Sequence, residues 1–250
     1  MPYEHARERQ DYSDLASGKV FHAAPGLPAF PVRLSSEVLE RCLAIRDVAG
    51  LTGRITLLDP CCGAAYLLGT VATLHRERLQ SIVACDIDPR AVVEAGRNLS
   101  LLSLEGMDHR ITELVELHRR YGKASHASAL ESARRLRQRM AIASELPPIQ
   151  VRAVRADASD GGSLRGALEG TRVDVVMADV PYGRHAHWQG RAGRGNPLWT
   201  MLDALKGVLY PGSLVAVISD KGQKAAHAGY ERVEMFQIGK RRISILRPKP

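Results

Sequence analysis

Arg54-Ile55-Thr56-Leu57-Leu58-Asp59-Pro60-Cys61-Cys62-Gly63-Ala64-Ala65 decides the fold. Ile55 to Leu58 is a short, apolar, partly β-branched run that stops at an aspartate and a proline, the pattern of a buried strand. A helix is predicted to follow, from about Tyr66 to Arg78. The same alternation recurs downstream. Ile82 to Asp86 reads as a second strand, and Pro89 to about Leu102 as a helix with proline in its favoured first position. Gln150 to Ala156 runs into Asp157, Val173 to Ala178 runs into Asp179, and Leu214 to Ser219 follows the turn Tyr210-Pro211-Gly212. Tyr230 to Ile238 and Lys240 to Arg247 flank Gly239 as a tight antiparallel pair. Strands alternating with helices imply right-handed crossovers, so the fold class is α/β: a mostly parallel sheet with an antiparallel C-terminal hairpin.

Two segments stand outside that alternation. Residues 1–31 are punctuated by Pro25, Gly26, Pro28 and Pro31 and read as an irregular N-terminal arm. The remainder, 32–250, reads as one domain whose first helix starts at an N-cap on Ser35 or Ser36 and runs to Val48. Residues 105–148 are too long for a strand-to-strand connector. Ile111, Leu114 and Val115, then Leu130, Ala133, Leu136 and Met140, recur at helical spacing, which predicts a helical insertion.

At 250 residues, with 45% hydrophobic and 25% charged residues, the chain can bury a full core without staples, and disorder is excluded as the main state. No run of about 18 apolar residues exists, so no membrane helix is expected. The polar start Met1 to Gln10 does not read as a secretory signal. Cysteines 42, 61, 62 and 85 lack CxxC spacing, so reduced thiols, no metal site and a cytoplasmic location are expected. A monomer is assumed. Lys and Arg number 35 against 27 acids, a net +8, with an isoelectric point of about 9.6. The excess is clustered in three places. Arg119, Arg120, Lys123, Arg134, Arg135, Arg137 and Arg139 lie in the insertion. Arg184, Arg191 and Arg194 flank Trp188 in a glycine-rich stretch, and the chain closes on a basic segment from Lys240 to Lys249. One-signed clusters are the electrostatic footprint of a nucleic-acid binder.

Asp59, Asp86 and Asp157 end three successive strands, and in an open parallel sheet ligands bind at the carboxyl ends. The loop Pro60-Cys61-Cys62-Gly63-Ala64 is neither G-x-G-x-x-G nor a P-loop, so it suits a ligand that approaches the backbone without bringing phosphate. A carboxylate at Asp86 can accept both hydroxyls of a ribose diol. A nucleoside without phosphate points to S-adenosylmethionine. At Asp179-Val180-Pro181-Tyr182, an acceptor-only carboxylate beside a flat aromatic face suits an extruded base with a donor-rich edge, and guanine offers its N1–H and its amine.

Asp59-Pro60-Cys61-Cys62-Gly63, Cys85-Asp86-Ile87-Asp88-Pro89 and Asp179-Val180-Pro181-Tyr182 resemble, in order, three motifs of the class I (Rossmann-like) S-adenosylmethionine-dependent methyltransferases. The chain is similar throughout to those that modify 23S ribosomal RNA and confer resistance to avilamycin. The resemblance implies a seven-stranded sheet and methylation of guanine at N1 or N2. It also implies that Asp59 to Ala64 wrap the methionine part, Asp86 the ribose, Ile87 an adenine face, and Asp157 and Ala158 the adenine edge. Asp179, Pro181 and Tyr182 would form the catalytic motif, with Asp179 also near the cofactor. The sequence departs from the family at Ala64-Ala65, where Ser-Gly is usual, and at Val180, where proline is usual. Two alternatives stay open: glutamine methylation in a translation protein, and a non-catalytic RNA-binding protein with the same fold.

Overall fold

The structure is a computed structural model and describes residues 3–8, 10–181, 188 and 196–250. Among these, seven strands form one sheet: β1 (Ile55–Asp59), β2 (Leu79–Asp86), β3 (Gln150–Arg155), β4 (Val175–Asp179), β5 (Leu214–Asp220), β6 (Tyr230–Ile238) and β7 (Arg241–Pro248), in the order β3-β2-β1-β4-β5-β7-β6. β1 to β5 pair in parallel, with Leu57 beside Ile82 on one side and Val175 on the other. β7 runs antiparallel to both β5 and β6. The predicted sheet and its C-terminal hairpin are therefore present, and β7 is inserted between β5 and β6.

Every residue of β1 is buried, because helices cover both faces of the parallel part. Ile55 and Leu57 face a layer built with α1 (Val32–Val48), α2 (Tyr66–Leu74) and α3 (Pro89–Ser100). Leu58 faces the opposite layer, with α6 (Gly161–Leu168) and α7 (Pro197–Leu205). The expected insertion is a helical hairpin, α4 (Leu104–Tyr121) and α5 (Ala124–Ile142), turned at Gly122 in the left-handed region with φ +61°. Met107, Leu114, Ala129, Ala133 and Leu136 join the first layer, as their helical spacing predicts.

Two local expectations need correction. α1 begins at Val32, not at a serine cap, because the Pro31 carbonyl already accepts the Leu34 and Ser35 N–H groups. Ser35 and Ser36 lie inside the helix, where Ser35 Oγ donates to Val32 O and Ser36 Oγ meets His75 Nε2 at 2.8 Å. The helix after β1 stops at Leu74, and Arg76 to Arg78 form a separate 3-10 turn.

The N-terminal arm is irregular yet firmly packed. Phe21 is buried, and a Cβ on Gly69 would sit 2.4 Å from its ring, so that glycine admits the arm against α2. Arg110 of α4 donates to Val20 O. Glu37 of α1, fully buried, accepts the N–H groups of Glu4, His5 and Ala6 and the Arg41 guanidinium. Burial pushes the Glu37 carboxyl up, but those four donors outweigh it and hold its pKa below the ordinary value.

Candidate active site

Asp86, Asp59 and Asp179 end β2, β1 and β4, three neighbours in the sheet, so their carboxylates converge at one end of it. Asp59 is 1% exposed. Burial raises its pKa well above the ordinary value, and the charges of Asp179 and Asp86 add to the rise against the Cys61 N–H bond that lowers it. A carboxyl whose folded pKa is raised stabilises the fold below its unfolded value and loses that contribution as pH climbs through the folded value. The wild-type melting temperature should therefore fall from this source as pH rises above about 4. Asp59→Asn, which keeps the Cys61 acceptor without the charge, should melt at a temperature less sensitive to pH. Parallel melting curves for the two proteins between pH 4 and pH 8 would contradict this.

The loop after β1 is stitched to β2. Cys62 N–H donates to Cys85 O at 2.8 Å, and Gly63 N–H to Asp86 Oδ2 at 2.9 Å. The other Asp86 oxygen accepts Asp88 N–H at 2.9 Å. Burial raises the Asp86 pKa against these two bonds. Each carboxylate oxygen thus keeps acceptor capacity for a diol, and the residues fit the ribose of the expected cofactor. Gly63 has φ +53°, where glycine carries no penalty, and a Cβ there would come within 3.9 Å only of Leu27 from the arm. Ala65, with φ 53°, takes a left-handed conformation without being glycine. That conformation costs an alanine roughly 1–2 kcal/mol. Cys61, Cys62 and Cys85 line this end with thiols that burial pushes up, Cys85 to about 12.

Sequence reasoning missed Asn98 on α3. It is fully buried, and its Nδ2 donates to Ala64 O at 2.9 Å and His22 O at 3.1 Å while Oδ1 accepts His22 N–H at 2.7 Å. One amide thereby ties the arm to the loop. A polar residue on the buried stripe Ala91, Ala95, Asn98, Leu99 was the available signal.

Ala156 N–H donates to Asp86 O, and Arg155 Nε to Ile87 O, which fixes the ends of β2 and β3 together. Asp157 Oδ1 accepts the N–H and hydroxyl of Ser159, so its carboxylate shapes this turn beside buried Ala158. After β4, Val180 N–H donates to Ile218 O and Pro181 O accepts Gln223 Nε2. Tyr182, Arg184, Arg191 and Arg194 lie outside the described residues. Trp188 packs half-buried against the second layer.

The basic residues of the hairpin divide into two groups. Arg135 pairs with Asp14 at 2.6 Å and Arg137 with Asp108 at 2.6 Å, while Arg139 lies 3.9 Å from Asp14. The Arg135 hydrogen bond holds Asp14 down to about 2 against burial. Arg119, Arg120, Lys123 and Arg134 are exposed and form no ion pair among the described residues. Also among the described residues, no three acids, histidines or cysteines gather as a metal site, and no helix is long and apolar enough to cross a membrane.

Residues 1–241 match the family model described as rRNA methyltransferase AviRa. Over 245 residues the chain is 41% identical to a 23S rRNA (guanine(2535)-N(1))-methyltransferase of Streptomyces viridochromogenes, covering 98% of this chain and 95% of the relative. It superposes on the 1.5 Å structure of rRNA methyltransferase AviRa from the same organism with a TM-score of 0.86 and 40% identity, covering 99% and 96% of the two chains. Sheet order, motif order and whole-length similarity agree: the chain belongs to the AviRa family of rRNA methyltransferases.

Proposed function

We propose that this protein transfers a methyl group from S-adenosylmethionine to N1 of a guanosine in 23S ribosomal RNA. The observation that carries the reading is the convergence of Asp59, Asp86 and Asp179 around the Gly63 loop at the ends of three adjacent strands. The whole-length relative that methylates guanine N1 supports the choice of atom over N2. S-adenosylmethionine supplies an electrophilic methyl on a sulfonium. Asp86 holds the ribose, and the Gly63 loop offers backbone at close range to the methionine part. Asp179 takes the N1 proton of guanine, and the in-plane lone pair this frees on N1 receives the methyl as the methyl's bond to sulfur breaks. Resistance to avilamycin belongs to this proposal, and expression in a susceptible host should raise the inhibitory concentration.

Radiolabelled methyl transfer, with the product divided into RNA and protein fractions, tests the reading. Label in 23S RNA is expected. Label in a ribosomal protein would instead favour the glutamine reading, and absence of cofactor binding would favour the non-catalytic one. Asp86→Ala should weaken S-adenosylmethionine binding by about 1.5–3 kcal/mol, the range for a hydrogen bond to a charged group. Calorimetric titration showing unchanged affinity in a folded variant would remove Asp86 from the ribose.

The RNA surface can be separated from internal ion pairs. Changing Arg119, Arg120, Lys123 and Arg134 together to Gln should lower RNA affinity. The salt slope should also shrink, by about 0.7–0.9 for each phosphate that is no longer neutralised. Arg135→Gln should act mainly on stability, because it strips Asp14 of its partner. A filter-binding salt series in which the fourfold variant keeps the wild-type slope would show that this hairpin face does not meet phosphate.

A further inference from the structure

Gln223 lies in the crossover 221–229 between β5 and β6, and nothing in the family motifs points to it. Its backbone is fixed on both sides: the N–H donates to Asp220 Oδ1 at 3.0 Å, and the carbonyl accepts Ser219 Oγ at 3.2 Å. The side-chain Nε2 donates to Pro181 O at 3.1 Å, inside the catalytic motif. That bond sets the orientation of the amide, since turning it over would oppose two carbonyl oxygens. The other end, Oε1, is shielded from solvent and has no hydrogen-bond partner among the described residues. A buried acceptor without a donor is a standing cost in the free protein, and it is relieved when a ligand brings an N–H.

We propose that Gln223 is a specificity-determining residue whose Oε1 accepts the exocyclic amine of the target guanine. The inference rests on the reading of guanine N1 as the methylated atom. With N1 presented to the methyl group and its proton directed to Asp179, the ring carries an acceptor, O6, on one side of N1 and a donor, the 2-amine, on the other. An acceptor at Gln223 fits the amine and repels O6, so it fixes which way the ring enters. Adenine carries only C2–H at the corresponding position and leaves Oε1 unpaired. Rejection by an unpaired buried polar group is the strong form of discrimination.

The test uses the full protein with a 23S RNA fragment carrying either guanosine or inosine at the target nucleotide. Inosine lacks only the 2-amine. The wild-type single-turnover rate constant at saturating enzyme should favour guanosine by tenfold or more. Gln223→Leu should bring the ratio close to one while leaving S-adenosylmethionine affinity unchanged, whereas a purely structural support of Pro181 would slow both substrates equally and preserve the ratio. Gln223→Glu, which keeps an acceptor but loses the Pro181 donor, should be slower on both RNAs and retain the preference. A preserved ratio in Gln223→Leu, a ratio near one in Gln223→Glu, or equal wild-type rates on the two RNAs overturns the assignment. No transfer to guanosine by the wild-type protein would instead bring down the proposed function, and this inference with it.

Discussion

Asp179→Ala is expected to lower single-turnover methyl transfer to 23S RNA by about 10²–10⁴-fold, the range for losing a positioned proton acceptor. The backbone around Asp179 is held by Ile218 O of β5 on Val180 N–H and by Gln223 of the following crossover on Pro181 O. These bonds fix the backbone that carries the carboxylate. In the proposed reaction its role grows as transfer proceeds, because charge develops on the attacking nitrogen and the N1 proton must leave. An interaction stronger in the transition state than in the ground state appears in turnover and not in cofactor affinity. Asn should be intermediate, since it keeps one acceptor but adds a donor facing the N1–H. A wild-type rate in Asp179→Ala at saturating enzyme would remove Asp179 from the chemistry.

Asn98→Ala should produce a large loss of stability although Asn98 touches neither substrate. It removes three hydrogen bonds at once and leaves His22 N–H, His22 O and Ala64 O without their partner. Stranding buried backbone groups costs about 1–3 kcal/mol each. Partial relaxation of the arm reduces the sum, so a loss of about 3 kcal/mol in denaturant unfolding is expected. S-adenosylmethionine affinity should fall as well, because the Ala64 carbonyl is part of the loop that Gly63 anchors to Asp86. Asn98→Asp should not rescue, since a carboxylate would face two carbonyl oxygens. Unfolding of Asn98→Ala at the wild-type denaturant midpoint would show that the arm and loop hold their positions without the clamp.

The parts of this fold that were legible in the sequence share one physical cause. β1, β2, β4 and β5 are covered on both faces, so each shows as a mostly apolar run ending in an acid. The hairpin was visible through the helical spacing of Leu114, Ala133 and Leu136. What escaped reading depends on partners distant in the chain. Asn98 bonds to a residue 76 positions away, and Glu37 gathers three N–H groups from 31 to 33 positions away. Within its own stretch, the arginine cluster met only one acid. Folding brings Asp14 to Arg135 and Asp108 to Arg137, which moves two of the seven clustered basic residues toward internal pairing. Asp157 Oδ1 also accepts from Ser159, a local bond. Gln223 carries no motif and is marked only by its bond to Pro181 and by an oxygen without a partner among the described residues.

Nucleoside mass spectrometry of 23S RNA from a susceptible host, with and without this protein, tests the central claim most directly. One guanosine should convert to 1-methylguanosine only when the protein is expressed, and Asp179→Ala should abolish the conversion. An unchanged 23S digest, or a methyl group carried on guanine N2 instead of N1, would contradict the account.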